Sequence, residues 1–171
     1  KAFAAVGDLA AICEYLEKLD CDLSTVDTVI KTGNKMMDAI IGSKISLAHA
    51  HNIPVRADAD IPVTLTTSEI DLCVIIGNLF DNAIEASLAL PEEKRMIRMY
   101  MDMKNKQLYM SFTNFTAKKK QVKSGEIFRT TKGEGHGFGL VRIDDIVARY
   151  GGYLSRNSED GAFTTEILLP Q

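Results

Sequence analysis

Between Thr67 and Leu90 the chain carries a long, uninterrupted run of helical periodicity with two unequal faces. Leu72, Ile76, Leu79, Phe80 and Ala83 fill a broad apolar sector, as expected of a helix packed on a sheet. Asp71, Asn78, Asn82 and Glu85 fall within one narrow polar sector at about 100° per residue. Pro91 closes the helix, and Thr66 with Glu69 stands in the S/T-x-x-E spacing of a capping box. A polar stripe of this kind is ordinarily a solvated face. The two asparagines argue for more, because Asn is a weak helix former and the pair costs roughly a few tenths of a kcal/mol per residue. Neutral oxygen donors on a rigid face suit a hard cation such as Mg²⁺, which keeps several waters and takes further ligands from nucleotide phosphates.

A second constraint lies in Thr130-Thr131-Lys132-Gly133-Glu134-Gly135-His136-Gly137-Phe138-Gly139-Leu140, where four alternating glycines run straight into a helix. Such a loop lets main-chain amides approach an anion, and the first helical turn adds unpaired N–H groups and the positive end of its dipole. Phosphate binding is its natural use, with Lys132 available as a point charge; turn-making alone is the plainer alternative. A dinucleotide-binding turn would need a strand before the glycines and an acidic residue about twenty positions beyond, inside a βαβ unit. The preceding stretch from Phe115 is polar and Lys-rich, and a hairpin follows the helix.

Around these two segments the remaining chain reads as mixed helix and strand. Ala2 to Leu19 repeats apolar residues at three- and four-residue spacing, and Ser24 or Thr25 is placed to cap a second helix reaching about His51. Ile53 to Asp58 is extended after Pro54. Ile97–Met103 and Leu108–Asn114 form one expected hairpin, and Tyr153–Asn157 and Phe163–Leu169 another; a helix from about Gly139 to Tyr150 stops at Gly151-Gly152. The expected fold class is α+β, with a helical hairpin in front. At 171 residues the chain can bury a substantial core. A net charge of −3 and no basic face beyond Lys118-Lys119-Lys120 leave nucleic-acid binding without its electrostatic footprint. Cys13, Cys21 and Cys73 form no CxxC pair and read as buried thiols, and Met36, Met37, Met99, Met101, Met103 and Met110 as core filling.

Asn78-Leu79-Phe80-Asp81-Asn82-Ala83-Ile84-Glu85-Ala86 resembles the N box of the GHKL ATPases, the superfamily of gyrase B, MutL and sensor histidine kinases. Gly135-His136-Gly137-Phe138-Gly139-Leu140 resembles that family's second glycine box, in the same order. Thr32-Gly33-Asn34, Asp38-Ala39-Ile40-Ile41, Lys44, Ala48 and the closing Leu168-Leu169-Pro170 resemble the branch containing peptide-pheromone and dicarboxylate or citrate sensor kinases.

The resemblance implies a Bergerat-type two-layer sandwich, a mixed sheet backed by helices, binding ATP and Mg²⁺. Residues 1–52 would be the tail of a dimerisation and phosphotransfer helical region and 53–171 the catalytic ATP-binding domain. Asn82 would be the Mg²⁺ ligand, and Asn78 the catalytic neighbour contacting phosphate or bound water. Asn114 would stand in for the family's adenine-binding aspartate, with Thr131, Lys132, Gly135, His136, Gly137, Phe138, Gly139 and Leu140 lining the phosphates. Hydrolytic relatives carry a glutamate where Asn78 stands, so the resemblance implies slow hydrolysis and transfer of the γ-phosphate to a histidine. The implied partners are ATP, the histidine-bearing helix of the same kinase dimer and a response regulator, with no nucleic acid and no direct membrane contact by this segment. The setting implied is the cytoplasmic side of a membrane-anchored bacterial sensor kinase. His49 and His51 lack the phospho-acceptor motif, which would lie upstream. A nucleotide-free scaffold of the same fold and a hydrolytic ATPase are the alternatives.

Overall fold

A computed structural model describes residues 30–117 and 138–171, the Phe138 side chain apart. The expected helix at Ala2–Leu19, the caps at Ser24 and Thr25, Cys13, Cys21 and the glycine run through Gly137 lie outside the described residues. In chain order the elements are α1 (Lys35–Ala50), β1 (Val55–Asp60), α2 (Glu69–Leu88), a 3₁₀ turn (Glu92–Lys94), β2 (Ile97–Lys104), β3 (Gln107–Phe115), α3 (Phe138–Arg149), β4 (Tyr153–Glu159) and β5 (Ala162–Pro170).

The five strands form one mixed sheet in the order β1-β2-β3-β5-β4. β1 runs parallel to β2, and every other pairing is antiparallel. Asn105 (φ 57°) turns the β2–β3 hairpin and Gly161 (φ 83°) the β4–β5 hairpin, each in the left-handed region that Asn and Gly tolerate best. Alternation gives the sheet two unlike faces. Ile97, Met99 and Met101 of β2, Leu108, Met110 and Phe112 of β3, and Ile167 and Leu169 of β5 are buried on one face. The opposite face carries Arg98, Tyr100, Asp102, Tyr109, Ser111, Thr113 and Glu166.

All three helices belong to the buried side. α2 joins two parallel neighbouring strands, so it must cross back over the sheet, antiparallel to β1 and β2 and therefore along β3. Leu72, Ile76, Leu79, Phe80 and Ala83, the apolar sector read from the sequence, are all buried, and Ile75 and Ile84 widen it. Phe80 meets Phe112 of β3 edge to face, with centroids 5.2 Å apart at 87°. Met37, Ile41, Ile45 and Ala48 of α1 enter the same core.

Three expectations are corrected. α1 starts at Lys35, not near Ser24, because Gly33 (φ 84°) turns the chain just before it and Asn34 caps it. Ser68 is the N-cap of α2, while Thr66 bonds Gln171 and Glu69 bonds Asn34, so the capping box does not form. Met36 is exposed on α1, not in the core.

Asn34 explains the start of α1. Buried to 2% exposure, it accepts from Met36 N (3.1 Å) and Met37 N (3.0 Å) through Oδ1. Its Nδ2 donates to Val63 O (3.0 Å) and Glu69 Oε1 (2.9 Å), tying α1 to the β1–α2 loop and the first turn of α2. Thr32 Oγ1 donates to Asp38 Oδ1 at 2.7 Å and accepts from Asn34 N at 3.1 Å. Aspartate caps an isolated helix as well as asparagine does. Asn34→Asp should nevertheless destabilise the domain by about 2 kcal/mol, since it removes both donors and sets a carboxylate against Glu69 and the Val63 carbonyl. Urea denaturation tests this, and a midpoint equal to that of the parent would show that the Nδ2 bonds contribute nothing.

Candidate functional site

The polar sector of α2 does not act as one unit. Asp71, in the first turn, is drawn to the far end of α3, where Tyr150 OH donates to Oδ2 at 2.7 Å and Arg149 Nη1 lies 3.2 Å away. Asn78, two turns on, is half-buried and donates Nδ2 to Val74 O at 2.7 Å, one turn back along its own helix. That bond turns Oδ1 toward the start of α3. A Cβ built on Gly139 would lie 2.5 Å from Asn78 Oδ1, so only a glycine admits this approach. The two segments singled out by sequence are therefore in contact at Asn78 and Gly139.

One turn further, Asn82 is half-buried, and its Nδ2 is fully buried with no hydrogen-bond partner among the described residues. An unmet buried amide costs about 1–3 kcal/mol, which a ligand acceptor would recover. Half a turn about the last side-chain torsion exchanges N and O, so the amide can present oxygen to a cation or nitrogen to a phosphate oxygen. Glu85 is exposed on the same side.

Asn114 comes from the sheet. It stands two residues beyond Phe112 on the inward face of β3, at 6% exposure. Because α2 runs along β3, Asn114 and Asn82 both lie C-terminal to the Phe80–Phe112 contact, at the same end of the two layers. Asn114 Nδ2 donates to Phe115 O at 3.0 Å, which leaves Oδ1 as the acceptor it offers.

The N-terminus of α3 completes this end, with first-turn N–H groups that have no partner within the helix and a positive dipole end beside Asn78. Gly139 and Leu140 form that turn, and Leu140 also packs on the core. Phe138 opens the helix. Thr131, Lys132, Gly135, His136 and Gly137 lie outside the described residues. The site thus joins amide donors on a helix and a strand to a helix N-terminus, an arrangement that attracts anions and accommodates a hydrated cation without a carboxylate cage. Among the described residues no cluster of three or more His, Cys, Asp or Glu is placed to hold a metal.

Cys73 is a free, half-buried thiol whose pKa is raised first by burial and then by the Glu69 carboxylate, which keeps it protonated and unreactive. Sequence reasoning assigned Asp71 to the polar stripe and missed its attachment to Tyr150. The signal was a Tyr placed directly before the Gly151-Gly152 stop of α3, one residue beyond its last turn.

This end of the fold defines a class. The family model for the GHKL domain matches residues 68–170, and the chain belongs to that family. Within it, the fold is that of histidine kinase catalytic domains. The nucleotide-free catalytic domain of histidine kinase ThkA superposes with a TM-score of 0.60 at 19% identity, over 78% of this chain and 91% of that one. The mycobacterial sensor histidine kinase MprB gives 0.57 at 17% identity, over 78% and 95%. Full-length ShkA in complex with AMPPNP gives 0.62 at 17% identity, over 84% of this chain but 30% of that one. No curated protein sequence matches the chain.

Gly139→Ala tests the central contact. Alanine is ordinarily the better helix residue by about 1 kcal/mol, yet here its Cβ meets Asn78 Oδ1, and the variant should be less stable by about 1–3 kcal/mol. Adding Asn78→Ala should recover part of that loss. Simple additivity of the two changes in urea melts would show that the side chains do not meet.

Proposed function

We propose that this chain is the ATP-binding catalytic domain of a two-component sensor histidine kinase, which transfers the γ-phosphate of ATP to a histidine on a helix outside residues 30–171. The observation that carries the proposal is the convergence of Asn78, the unmet Asn82 amide and the Gly139 end of α3 at one site. The residues present fit Mg-ATP: Asn82 Nδ2 has no partner among the described residues, and the glycine at 139 keeps the approach to Asn78 open.

In this reading Asn82 holds the Mg²⁺ and Asn114 Oδ1 accepts from the adenine amino group. Asn78 Oδ1 orients a phosphate-bound or metal-bound water. The first amides of α3, with Gly135, Gly137, Thr131 and Lys132, hold the phosphates. When bound, Mg²⁺ supplies charge neutralisation on the phosphate oxygens. Asn78 cannot take a proton from water, so the domain positions the nucleotide and leaves attack to an incoming imidazole. We assign residues 53–171 to the catalytic layer together with α1, and the segment before α1 to the connection toward the histidine-bearing helix and its dimer. A response regulator then takes the phosphoryl group from that histidine. No helix among the described residues is long and apolar enough to cross a membrane, and the assignment is to the cytoplasmic part of a membrane-anchored kinase.

A fluorescent ATP analogue titrated with and without Mg²⁺ tests the proposal. The chain should show saturable, Mg²⁺-strengthened binding, and Asn82→Ala should weaken it at least about tenfold, the loss of a ligand worth 1.4 kcal/mol or more. Phosphate release by the chain alone should stay near background. No saturation at millimolar nucleotide would favour the scaffold alternative, and steady turnover the hydrolytic one.

A further inference from the structure

We infer that Tyr150 and Asp71 form a positioning clamp that sets the gap between Asn78 and Gly139, and through it the affinity for nucleotide; the inference rests on the nucleotide-binding reading of that site. Asp71 lies about 10 Å along the axis of α2 from Asn78, at seven residues of helical rise, too far to touch the same ligand group. Its contacts run instead to the end of α3. Tyr150 OH donates to Asp71 Oδ2 at 2.7 Å and accepts the Ser68 N–H at 3.1 Å, while Arg149 Nη1 sits 3.4 and 3.2 Å from the two carboxylate oxygens. The Ser68 side chain makes no capping bond, and the Tyr150 hydroxyl accepts the Ser68 N–H next to the Gln171 amide oxygen that accepts Thr66 N and Thr67 N.

The two helices run antiparallel and meet at both ends of α3: the clamp at its C-terminal end, Gly139 against Asn78 at its N-terminal end. A helix is stiff along its axis, so fixing its distal end determines how far it slides and tilts at the proximal one. At the proximal end the fit is tight, because even a methyl would overlap Asn78 Oδ1 unless that side chain moved. Loosening the clamp by a few tenths of an ångström therefore displaces the first α3 amides relative to Asn78 and Asn82.

The test is Mg²⁺-dependent binding of the fluorescent ATP analogue to the full chain and to Tyr150→Phe, Asp71→Ala, their double variant, Gly139→Ala, and Tyr109→Phe. Tyr109 donates its hydroxyl to Glu166 Oε1 at 2.5 Å on the far face of the sheet, so its Phe variant makes the same chemical change away from the helices. Tyr150→Phe and Asp71→Ala should each weaken binding about three- to tenfold, the range of one hydrogen bond. The double variant should be no weaker than the worse single, and Tyr109→Phe should bind as the parent does. Tyr150→Phe should also weaken binding less in the Gly139→Ala background than in the parent, because a released α3 can give way to the added methyl. Unchanged affinity in folded Tyr150→Phe overturns the clamp, as do losses in Tyr150→Phe and Tyr109→Phe that simply follow their unfolding midpoints. If Asp71→Ala does not fold, Tyr150→Phe carries the result. A parent chain that fails to bind the analogue overturns the nucleotide reading itself, a different outcome from a parent that binds and a variant that binds equally.

Discussion

A helix that connects two parallel neighbouring strands has to lie against their sheet, and α2 is that helix. Its broad apolar arc goes to the strands, so only its two flanks remain for α1 and α3. The two flanks differ in what they require. On one, a Cβ at Gly77 would lie 3.8 Å from Lys44 Cε, and the Lys44 ammonium reaches on to Asp81 at 2.5 Å. On the other, Gly139 of α3 abuts Asn78. The polar residues of α2 consequently cannot all face water, and the sequence that satisfies the sheet also places the Asn78 and Asn82 amides one turn apart on the same flank.

Buried polar groups in this fold are mostly structural, and they account for residues that first marked a family resemblance. Thr32, Asn34 and Asp38 form a closed hydrogen-bonded set at the start of α1, and Asn34 uses its oxygen and its nitrogen at once. A group so fully bonded has nothing left to offer a ligand. Asn82 differs in just this respect, since its buried nitrogen has no partner among the described residues. Hydrogen-bond satisfaction thus separates the asparagine that fastens a helix from the one whose nitrogen, on the proposed reading, is left for a ligand.

Much of this was legible in the sequence. The apolar arc of α2, both hairpins and the stop of α3 at Gly151-Gly152 follow from periodicity and turn residues, which are local properties. The approach of Asn78 to the glycine-rich segment followed from pairing two motifs. What escaped was non-local: the antiparallel joining of β3 to β5, which welds the hairpins into one sheet, and the parallel β1–β2 pair. The cap of α1 was misplaced because Ser24 and Thr25 matched the local pattern, while Asn34 is chosen by its partners in the β1–α2 loop and in α2. Asp71 was misread for the same reason. Its side chain falls within the polar stripe, but its hydrogen-bond partner comes from a residue 79 positions away.

The amide at position 78 links the fold to the kind of chemistry it permits. Its nitrogen donates to the Val74 carbonyl, and its oxygen faces the start of α3, whose first N–H groups have no partner within the helix. A carboxylate could serve the second role but not the first, because it has no proton to donate and would face the Val74 oxygen with like charge. The hydrogen bond that holds Asn78 in line with Gly139 is thus the reason the group there is an amide. An amide has no basicity with which to activate water. On the proposed reading, the same local geometry favours holding a phosphorylated ligand for an external nucleophile over hydrolysing it.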